Sequence, residues 1–378
     1  MNEKKIKVLQ MPVRNAKGGI TQYALRNWKH IDKSKFCFDW VTLDKSLSFE
    51  DDLVKQGCRV YHLSCRQEDD EPRFRSEMET IFANNYDAIH LHTGYWRGFL
   101  AEELAIKAGI PQIIVHAHST GVDVSDSVER EKLITAHNIW KEQFNVNLAT
   151  HFTACSNLAA EFLFGEQILS NKILILKNAV DTEKYSYDEV TRKKLREEMG
   201  LNENYVILQP ARLEYQKNHV FTLNLFAKVI DILPSAILLL VGDGQLREDL
   251  EKLAFELGIS NNVRFFGFRE DIPSILQASD LVIMPSRFEG LAISAIEAQC
   301  SGCWCLFSEN ITPEIIVSSN AERLPLDENI WRDRIINIAE TGYNRCDRSS
   351  EIKEAGYSLH HQIKVLERLY SQSVNSIQ

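Results

Sequence analysis

The sequence contains no apolar run near the roughly 20 residues that a membrane-spanning helix requires, so it does not predict an integral membrane protein. The opening segment, MNEKKIKVLQMP, carries cations but no apolar stretch of signal-peptide length, and it alternates like a strand. The eight cysteines are irregularly spaced, which favours reduced thiols over a disulfide framework. Together these absences predict a cytosolic protein.

Common cofactor signatures are also missing. Gly18 and Gly19 follow the first predicted strand, but they lack the third glycine of the dinucleotide fingerprint and the lysine of a Walker motif. The stretch CSGCWC groups Cys300, Cys303 and Cys305, yet no second cysteine or histidine pair lies at a metal-site spacing. We interpret these three thiols as small packing residues where a helix runs into a strand. The prediction is a protein without a cofactor or metal.

Charge is unevenly distributed along the chain. The formal net charge of −10 argues against general binding of nucleic acid. Residues 1–35 nevertheless contain nine lysines and arginines against two acidic residues, a local charge of +7. Such a region suits contact with anionic lipid headgroups, and it equally suits a solvated face, so both interpretations stay open.

The order of predicted elements indicates two domains. A chain of 378 residues exceeds the size at which one hydrophobic core stops growing. Short β-rich runs alternate with helical patterns up to about Val180, as in parallel strands joined by crossover helices. The polar segment DTEKYSYDEVTRKK interrupts this alternation, which restarts at YVILQPARL and continues to CWCLFS. We therefore predict an α/β protein of two doubly wound, Rossmann-like domains, with a closing amphipathic helix near 357–370.

The loops that follow strands are the expected places for a site, because ligands gather at the carboxyl ends of strands in open α/β sheets. Arg212 lies at the end of one predicted strand and Lys217 at the start of the next helix. Cations are unfavourable at a helix N-terminus unless an anionic ligand is bound there. Arginine offers a planar fork for phosphate oxygens and lysine a movable point charge. The pair therefore indicates an anion site.

Two glutamates, Glu289 and Glu297, are eight positions apart in FEGLAISAIEAQCSG, where a loop runs into a helix. Eight residues of helical rise span roughly 12 Å, the scale of a nucleotide sugar from hexose to ribose. One carboxylate would hold hexose hydroxyls and the other the ribose diol, with the helix N-terminus facing the diphosphate. The alternative is that Glu297 is an exposed helix residue, since such spacing is common by chance.

Together these segments resemble a known family. ARLEYQKNHVFTLNLFAKV, LLLVGDGQLREDL, VRFFGFREDI and ASDLVIMPSRFEGLAISAIEAQCSG resemble, in order and spacing, the family-4 retaining glycosyltransferases of the GT-B fold. GGITQYALRN, DAIHLHTG, IIVHAHSTG, ACSNLAAEFLFG and ILKNAVDTEKY extend the resemblance over nearly the whole chain, closest to the bacterial capsule and exopolysaccharide branch. It implies an acceptor-binding domain, 1–182, and a nucleotide-sugar-binding domain, 183–356, facing an interdomain cleft, with a final helix, 357–378, packing back on the first domain.

The resemblance also implies roles for the acidic and basic residues. Arg212 and Lys217 match the diphosphate-binding pair of the family. Glu289 and Glu297 match its E-x7-E motif, in which the first glutamate contacts the donor sugar and the second the ribose.

Backbone contacts are implied at three further places. The N–H groups of Gly290 and Leu291 would meet the distal phosphate or the sugar. The loop of the N-terminal domain that closes on the diphosphate corresponds to Gly18 and Gly19. Phe268 and Arg269 match the base-contacting loop, where contacts are mostly through the backbone.

Histidines form two H-x-H pairs on consecutive predicted strands, His90 with His92 and His116 with His118. Strand alternation places both members of a pair on one face of the sheet. That geometry also suits a metal-dependent hydrolase, a rival class, although carboxylate ligands for a metal are not evident. The resemblance favours His118 as the active-site histidine near the donor sugar and leaves the other three structural.

The expected reaction is transfer of a hexosyl unit, with retention, from a nucleotide diphosphate sugar to a hydroxyl of a glycan or lipid-linked oligosaccharide. UDP is the favoured nucleotide of the donor, because the resembled family commonly uses it. No D-x-D motif occurs, which agrees with a metal-independent mechanism. Glu289 would orient the sugar while the leaving phosphate takes the proton of the acceptor. The basic N-terminal region fits a peripheral position on the inner face of the plasma membrane. A non-catalytic sugar-nucleotide-binding partner of another transferase is a further alternative.

Overall fold

The computed structural model describes residues 4–15 and 18–375, with side chains up to Gln372. Lys17 and residues 1–3, part of the basic N-terminal region, lie outside the described residues. The contacts divide the chain into two compact units. Unit 1 comprises the described residues of 1–122, 128–178 and 359–378, and unit 2 comprises 123–127 and 179–358.

Unit 1 is built on a seven-stranded parallel sheet with the order β3-β2-β1-β4-β5-β6-β7. Its strands are β1 (Ile6–Val13), β2 (Phe36–Thr42), β3 (Val60–His62), β4 (Ala88–Thr93), β5 (Gln112–Ala117), β6 (His151–Ala154) and β7 (Ile173–Ile175). The helices that connect them are α1 (Gly19–His30), α2 (Glu50–Lys55), α3 (Glu71–Phe82), α4 (Leu100–Lys107), α5 (Ser127–Gln143) and α6 (Asn157–Phe164).

Unit 2 contains a six-stranded parallel sheet with the order β10-β9-β8-β11-β12-β13. Its strands are β8 (Tyr205–Pro210), β9 (Ala236–Val241), β10 (Val263–Gly267), β11 (Leu281–Met284), β12 (Trp304–Ser308) and β13 (Ala321–Leu324). Its helices are α7 (Glu189–Glu198), α8 (His219–Ile230), α9 (Arg247–Glu256), α10 (Ile272–Ala278), α11 (Ile293–Cys300), α12 (Glu328–Thr341) and α13 (Ser349–Glu354).

Burial follows the apolar runs of the sequence. Every residue of β9, AILLLV, is buried, as is every residue of β5, QIIVHA, because helices cover both faces of each sheet. The two doubly wound, Rossmann-like α/β units predicted from the sequence are confirmed. Cys300 at the end of α11, Cys303 in the turn that follows and Cys305 in β12 are buried, and all eight cysteines are free.

The last helix, α14 (Leu359–Asn375), belongs to unit 1 although the preceding 180 residues form unit 2. Leu366, Leu369 and Tyr370 are buried in the unit 1 core, where the Tyr370 ring contacts the rings of Phe36 and Phe38. The apolar positions of YSLHHQIKVLERLY thus pack on the first sheet. Among the described residues, no helix combines the length and apolarity needed to cross a membrane.

Both sheets reverse their strand order at one point, between β1 and β4 in unit 1 and between β8 and β11 in unit 2. At such a switch point the neighbouring loops diverge to opposite faces and leave a crevice at the carboxyl ends of the strands. The loops after β8 and β11 hold Arg212, Lys217 and Glu289, so three of the predicted site residues follow the strands at the unit 2 crevice.

Candidate functional site

Lys217 and Glu289 are in direct contact at the switch point of unit 2. The Lys217 ammonium donates a hydrogen bond to Glu289 Oε1, and the side chains are 13% and 6% exposed. A charge pair so removed from water is costly to break, because either partner alone would be a buried, uncompensated charge. The contact therefore defines the position of both groups.

Side-chain amides hold the loop after β8 against the loop after β11, which brings Lys217 into contact with Glu289. Asn218, with a left-handed φ of 58°, donates from Nδ2 to the carbonyl of Pro285 over 3.1 Å. Gln216 donates from Nε2 to the Phe288 carbonyl over 2.9 Å and to Glu289 Oε2 over 3.1 Å. The loop after β8 is thereby fastened to the loop after β11, and Lys217 is aimed at Glu289.

Arg212 lies beside this pair, in a loop packed tightly against the loop after β9. A Cβ added at Gly242, whose φ is +146°, would overlap the carbonyl oxygen of Ala211, and one at Gly244 would overlap that of Leu213. Only glycine permits this approach and, at Gly242, this backbone conformation. The glycines of VGDG therefore set the position of the Arg212 loop.

Asp123 forms the shorter of two ion pairs with Arg212, the other being with Glu214 at 4.0 Å, and no sequence pattern indicated Asp123. Its Oδ2 accepts from Arg212 Nη2 over 3.0 Å, and its Oδ1 accepts from the backbone N–H of Gln216, also over 3.0 Å. Because Gln216 also contacts Glu289, the pairs Arg212–Asp123 and Lys217–Glu289 form one continuous polar cluster. A guanidinium and a backbone N–H that converge on one carboxylate make an anion site.

The position of Glu297 corrects one sequence expectation. Helix α11 begins at Ile293, and Glu289 forms an isolated bridge to Ile311 instead of opening the helix. Glu297 is thus only the fifth helical residue, and the separation of roughly 12 Å inferred from helical rise does not apply. Its side chain is buried, with 6% exposure, so the alternative of an exposed helix residue is wrong. Between the glutamates, Gly290 and Leu291 are buried in the loop that leads into α11.

Phe268 and Arg269 follow β10, on the outer side of β9 in the sheet order. Phe268 is 55% exposed, and Arg269 forms a paired salt bridge with Asp271 over 2.6 to 2.7 Å. Arg269 thus forms its ion pair within its own loop.

The remaining predicted residues belong to unit 1. Gly18 is the N-cap of α1, with an ordinary φ of −64°, and a Cβ at Gly19 would meet nothing within 4 Å. Neither conformation nor packing within the described chain therefore requires glycine at position 19. His118 follows β5 and is partly exposed.

His118 continues a buried histidine cluster on β4 and β5. His92 Nδ1 lies 2.9 Å from His118 Nε2, and His90 Nε2 lies 3.0 Å from His116 Nδ1. Burial lowers the pKa of His92 to about 3 and holds the pKa values of His90, His116 and His118 well below 6.5, with the neighbouring imidazoles adding to the effect on these three. The four imidazoles are accordingly neutral near pH 7.

The nitrogens of His90, His92 and His116 lie within 4.8 Å of one another, the one such group of potential metal ligands in the described part of the chain. It contains no carboxylate, which the hydrolase alternative requires. The site geometry thus favours the anion cluster of unit 2 over the histidines as a place for chemistry.

Comparisons with known proteins agree with this geometry. Residues 18–179 match the glycosyl transferase 4-like domain and residues 191–352 match the glycosyl transferases group 1 domain. The chain is 27% identical to a putative glycosyltransferase, EpsF, of Bacillus subtilis, over 99% of this chain and 98% of the relative. It is 24% identical to the UDP-Gal:alpha-D-GlcNAc-diphosphoundecaprenol alpha-1,3-galactosyltransferase of Escherichia coli, over 93% and 96% of the two chains.

Solved structures agree on the fold. HepE of Anabaena, crystallised with UDP-glucose, superposes with a TM-score of 0.75 at 16% identity, over 99% of this chain and 100% of that chain. The two matched domains together span most of the sequence, one in each unit. The chain therefore belongs to the glycosyltransferases of the GT-B fold, with a glycosyl transferase 4-like domain followed by a group 1 domain.

Proposed function

We propose that this protein transfers a hexosyl unit from a UDP-linked sugar to a hydroxyl of a glycan or lipid-linked oligosaccharide, with retention at the anomeric carbon and without a metal. The observation that carries the proposal is the buried contact of Lys217 with Glu289 at the unit 2 switch point. Two similar proteins support a UDP donor, since the E. coli enzyme uses UDP-Gal and HepE was crystallised with UDP-glucose.

The role of the cations follows from the charge of the leaving group. A departing nucleoside diphosphate gains negative charge, and preorganised cations and N–H groups stabilise it in a low-dielectric site. Arg212 supplies a fork, Lys217 a point charge, and Gly290 and Leu291 supply backbone N–H groups in front of α11. In this proposal the Gly18 and Gly19 amides add to the same function, and no metal is needed.

The acidic groups hold the donor by its hydroxyls. Glu289, anchored by Lys217, would accept from hexose hydroxyls and orient the sugar, while Glu297 would accept from the ribose diol. His118 is proposed to act at the donor sugar. The base-contacting role of Phe268 and Arg269 is likewise a proposal, supported by the loop after β10 to which they belong.

The reaction is proposed to serve surface polysaccharide synthesis, with the acceptor on a lipid carrier. The supporting observation is the likeness to the E. coli enzyme, whose acceptor is a diphosphoundecaprenol-linked sugar, over nearly its full length. Peripheral contact with anionic lipid through the basic N-terminal region is part of this proposal.

Release of nucleoside diphosphate from a panel of UDP, GDP and ADP sugars tests the function. We expect turnover with a UDP sugar that falls at least a hundredfold in Glu289→Gln and in Lys217→Ala. The control is Lys193→Ala, which removes the lysine of the exposed Lys193–Glu189 pair on α7 and should leave turnover unchanged. Because breaking a buried pair also destabilises, melting temperatures must show each variant folded at the assay temperature.

Two further measurements test the finer claims. The anomeric configuration of the product, read from its proton coupling by NMR, should equal that of the donor. Activity should persist in EDTA, and its loss would favour the metal-dependent alternative. Full activity in both Glu289→Gln and Lys217→Ala would overturn the site, whereas donor binding without turnover in the wild type would favour a non-catalytic partner.

A further inference from the structure

Unit 1 contains a hydrogen-bonded chain of side chains that ends at His118. Gln10 Oε1 on β1 lies 2.8 Å from His92 Nε2 on β4, and His92 Nδ1 lies 2.9 Å from His118 Nε2. Gln10 is 2% exposed and His92 is 3% exposed, so water does not compete for these bonds. These hydrogen-bonded side chains thus connect the switch point of the first sheet, between β1 and β4, to the end of β5.

The Gln10 amide also contacts the last helix, α14. Its Nε2 donates to the hydroxyl of Tyr370 on α14 over 3.2 Å, which leaves Oε1 facing His92. The Tyr370 hydroxyl in turn lies 2.7 Å from His90 Nδ1, where it can donate. The carbonyl oxygen of an amide accepts hydrogen bonds and cannot donate one. With the amide in this orientation, His92 Nε2 carries the hydrogen of that imidazole.

The same reasoning then determines His118. A neutral imidazole has one N–H and one lone pair, so His92 Nδ1 has the lone pair and accepts. The hydrogen of the 2.9 Å bond must then belong to His118 Nε2. The Nδ1 of His118 keeps its lone pair and has no hydrogen-bond partner among the described residues, and the side chain is partly exposed. Burial keeps both rings neutral, in line with their lowered pKa values.

We propose that Gln10 and His92 are positioning residues that hold His118 with its hydrogen on Nε2, so that its Nδ1 lone pair accepts from a hydroxyl of a neutral hexosyl donor. This inference rests on the proposed function, and it narrows the substrate class. A carboxylate in place of that hydroxyl offers no hydrogen to Nδ1, so hexuronic acid donors are disfavoured. The sugar group that meets His118 is a hydrogen-bond donor.

The tautomer itself can be observed without any assay of activity. Long-range proton–nitrogen correlation spectra of the full chain, with labelled histidine, distinguish Nδ1–H from Nε2–H for each ring. We expect His118 to carry its hydrogen on Nε2 in the wild type. A hydrogen on Nδ1 would overturn the proposal directly, with no variant that has to fold.

A matched pair of variants tests the role of His92. Leucine and asparagine have similar shape, but the Asn oxygen can occupy the position of Nδ1 and accept from His118. With the neutral hexosyl donor, kcat should fall about tenfold in His92→Leu and recover most of its value in His92→Asn, with KM for the acceptor unchanged in both. Equal kcat values in the two variants, or retention of the Nε2–H form in His92→Leu, would overturn the role of His92.

His137→Leu is the control for general loss of stability. His137 is buried elsewhere in unit 1, where it contacts the Trp96 N–H and the Phe162 carbonyl. Its replacement should lower the melting temperature while leaving the His118 tautomer and kcat unchanged. Absence of transfer from every nucleotide sugar, with the Nε2–H form observed, would instead contradict the proposed function and overturn the use of His118 in it, while the assigned tautomer would stand.

Discussion

The two units bury polar groups in different ways, although both are doubly wound parallel sheets. Unit 1 buries neutral imidazoles that hydrogen-bond to one another, to Gln10 and to Tyr370. Unit 2 gathers opposite charges at its switch point, with Lys217 against Glu289 and Arg212 against Asp123. A neutral network fixes geometry and the positions of hydrogens, whereas a charged cluster provides electrostatic binding. The same fold thus carries two kinds of polar interior.

The largest expected difference between the units is that unit 1 loses more stability than unit 2 when the pH is lowered. It contains four fully buried histidines with lowered pKa values, His90, His92, His116 and His137, the last at about 4, whereas unit 2 has His219 alone, at about 3, among the described residues. The folded chain leaves these rings unprotonated, while the unfolded chain takes up protons as pH falls through about 6.5. The free energy of unfolding therefore decreases on acidification, by about 1 kcal/mol per histidine between pH 6.5 and 5.5, or about 4 kcal/mol for these four histidines of unit 1.

Tryptophan fluorescence can assign this loss to one unit. Trp304 and Trp331 are the tryptophans of unit 2, so the Trp304→Phe, Trp331→Phe double variant reports on unit 1 alone. Urea unfolding of that variant should show the steep pH dependence. A flat profile for unit 1 between pH 6.5 and 5.5 would contradict the neutral network.

An intermediate effect is expected for Gly242→Ala in unit 2. The new methyl group would overlap the Ala211 carbonyl at a φ of +146°, which forces apart the loops after β8 and β9. We expect a loss of about 3 kcal/mol of stability and weaker donor binding, because Arg212 is displaced. Isothermal titration with UDP and urea unfolding measure the two effects. The control is Gly200→Ala, at the end of α7, which shares a positive φ of +62° but has nothing within 4 Å.

If Gly200→Ala reduces UDP affinity as much as Gly242→Ala does, the effect comes from general strain and not from the Arg212 loop. A Gly242→Ala protein with unchanged affinity would show that the close approach of the two loops does not position Arg212.

The smallest effect concerns Asp123, whose carboxylate makes the contacts that an anionic ligand would make with Arg212 and the Gln216 N–H. Asp123→Asn removes a competing charge, and we expect UDP to bind about fivefold more tightly, or about 1 kcal/mol. The gain should shrink at high salt because the charges are partly exposed. Titration calorimetry at two ionic strengths measures both. Weaker binding would show instead that Asp123 holds Arg212 in place.

Patterns with strong periodicity were predictable from the sequence. Apolar runs such as AILLLV and the helix Gly19–His30 were predicted because their burial is encoded locally. Strand β13 and helix α13 were missed, since AERL is only half-buried and SSEIKE is short. The start of α11 was misplaced because the pairing of Glu289 with Ile311 depends on a distant segment.

The site was only partly predictable for the same reason. Arg212, Lys217 and Glu289 belong to loops whose sequences carry a recognisable pattern. Asp123 contacts Arg212 across 89 positions in a loop without such a pattern, so no local signal could reveal it. Gln10 likewise acts through His92, 82 positions away, and an isolated glutamine in a strand predicts no such role.

The placement of α14 in the first unit has a consequence for biosynthesis. A ribosome finishes residues 179–358, and hence the complete second sheet, before it makes the helix that carries Tyr370. Until that helix has left the exit tunnel, Gln10 and His90 of the first sheet lack the Tyr370 hydroxyl to which both hydrogen-bond. During translation, unit 2 therefore has all of its residues before unit 1 does, and the core of unit 1 is the last to be completed.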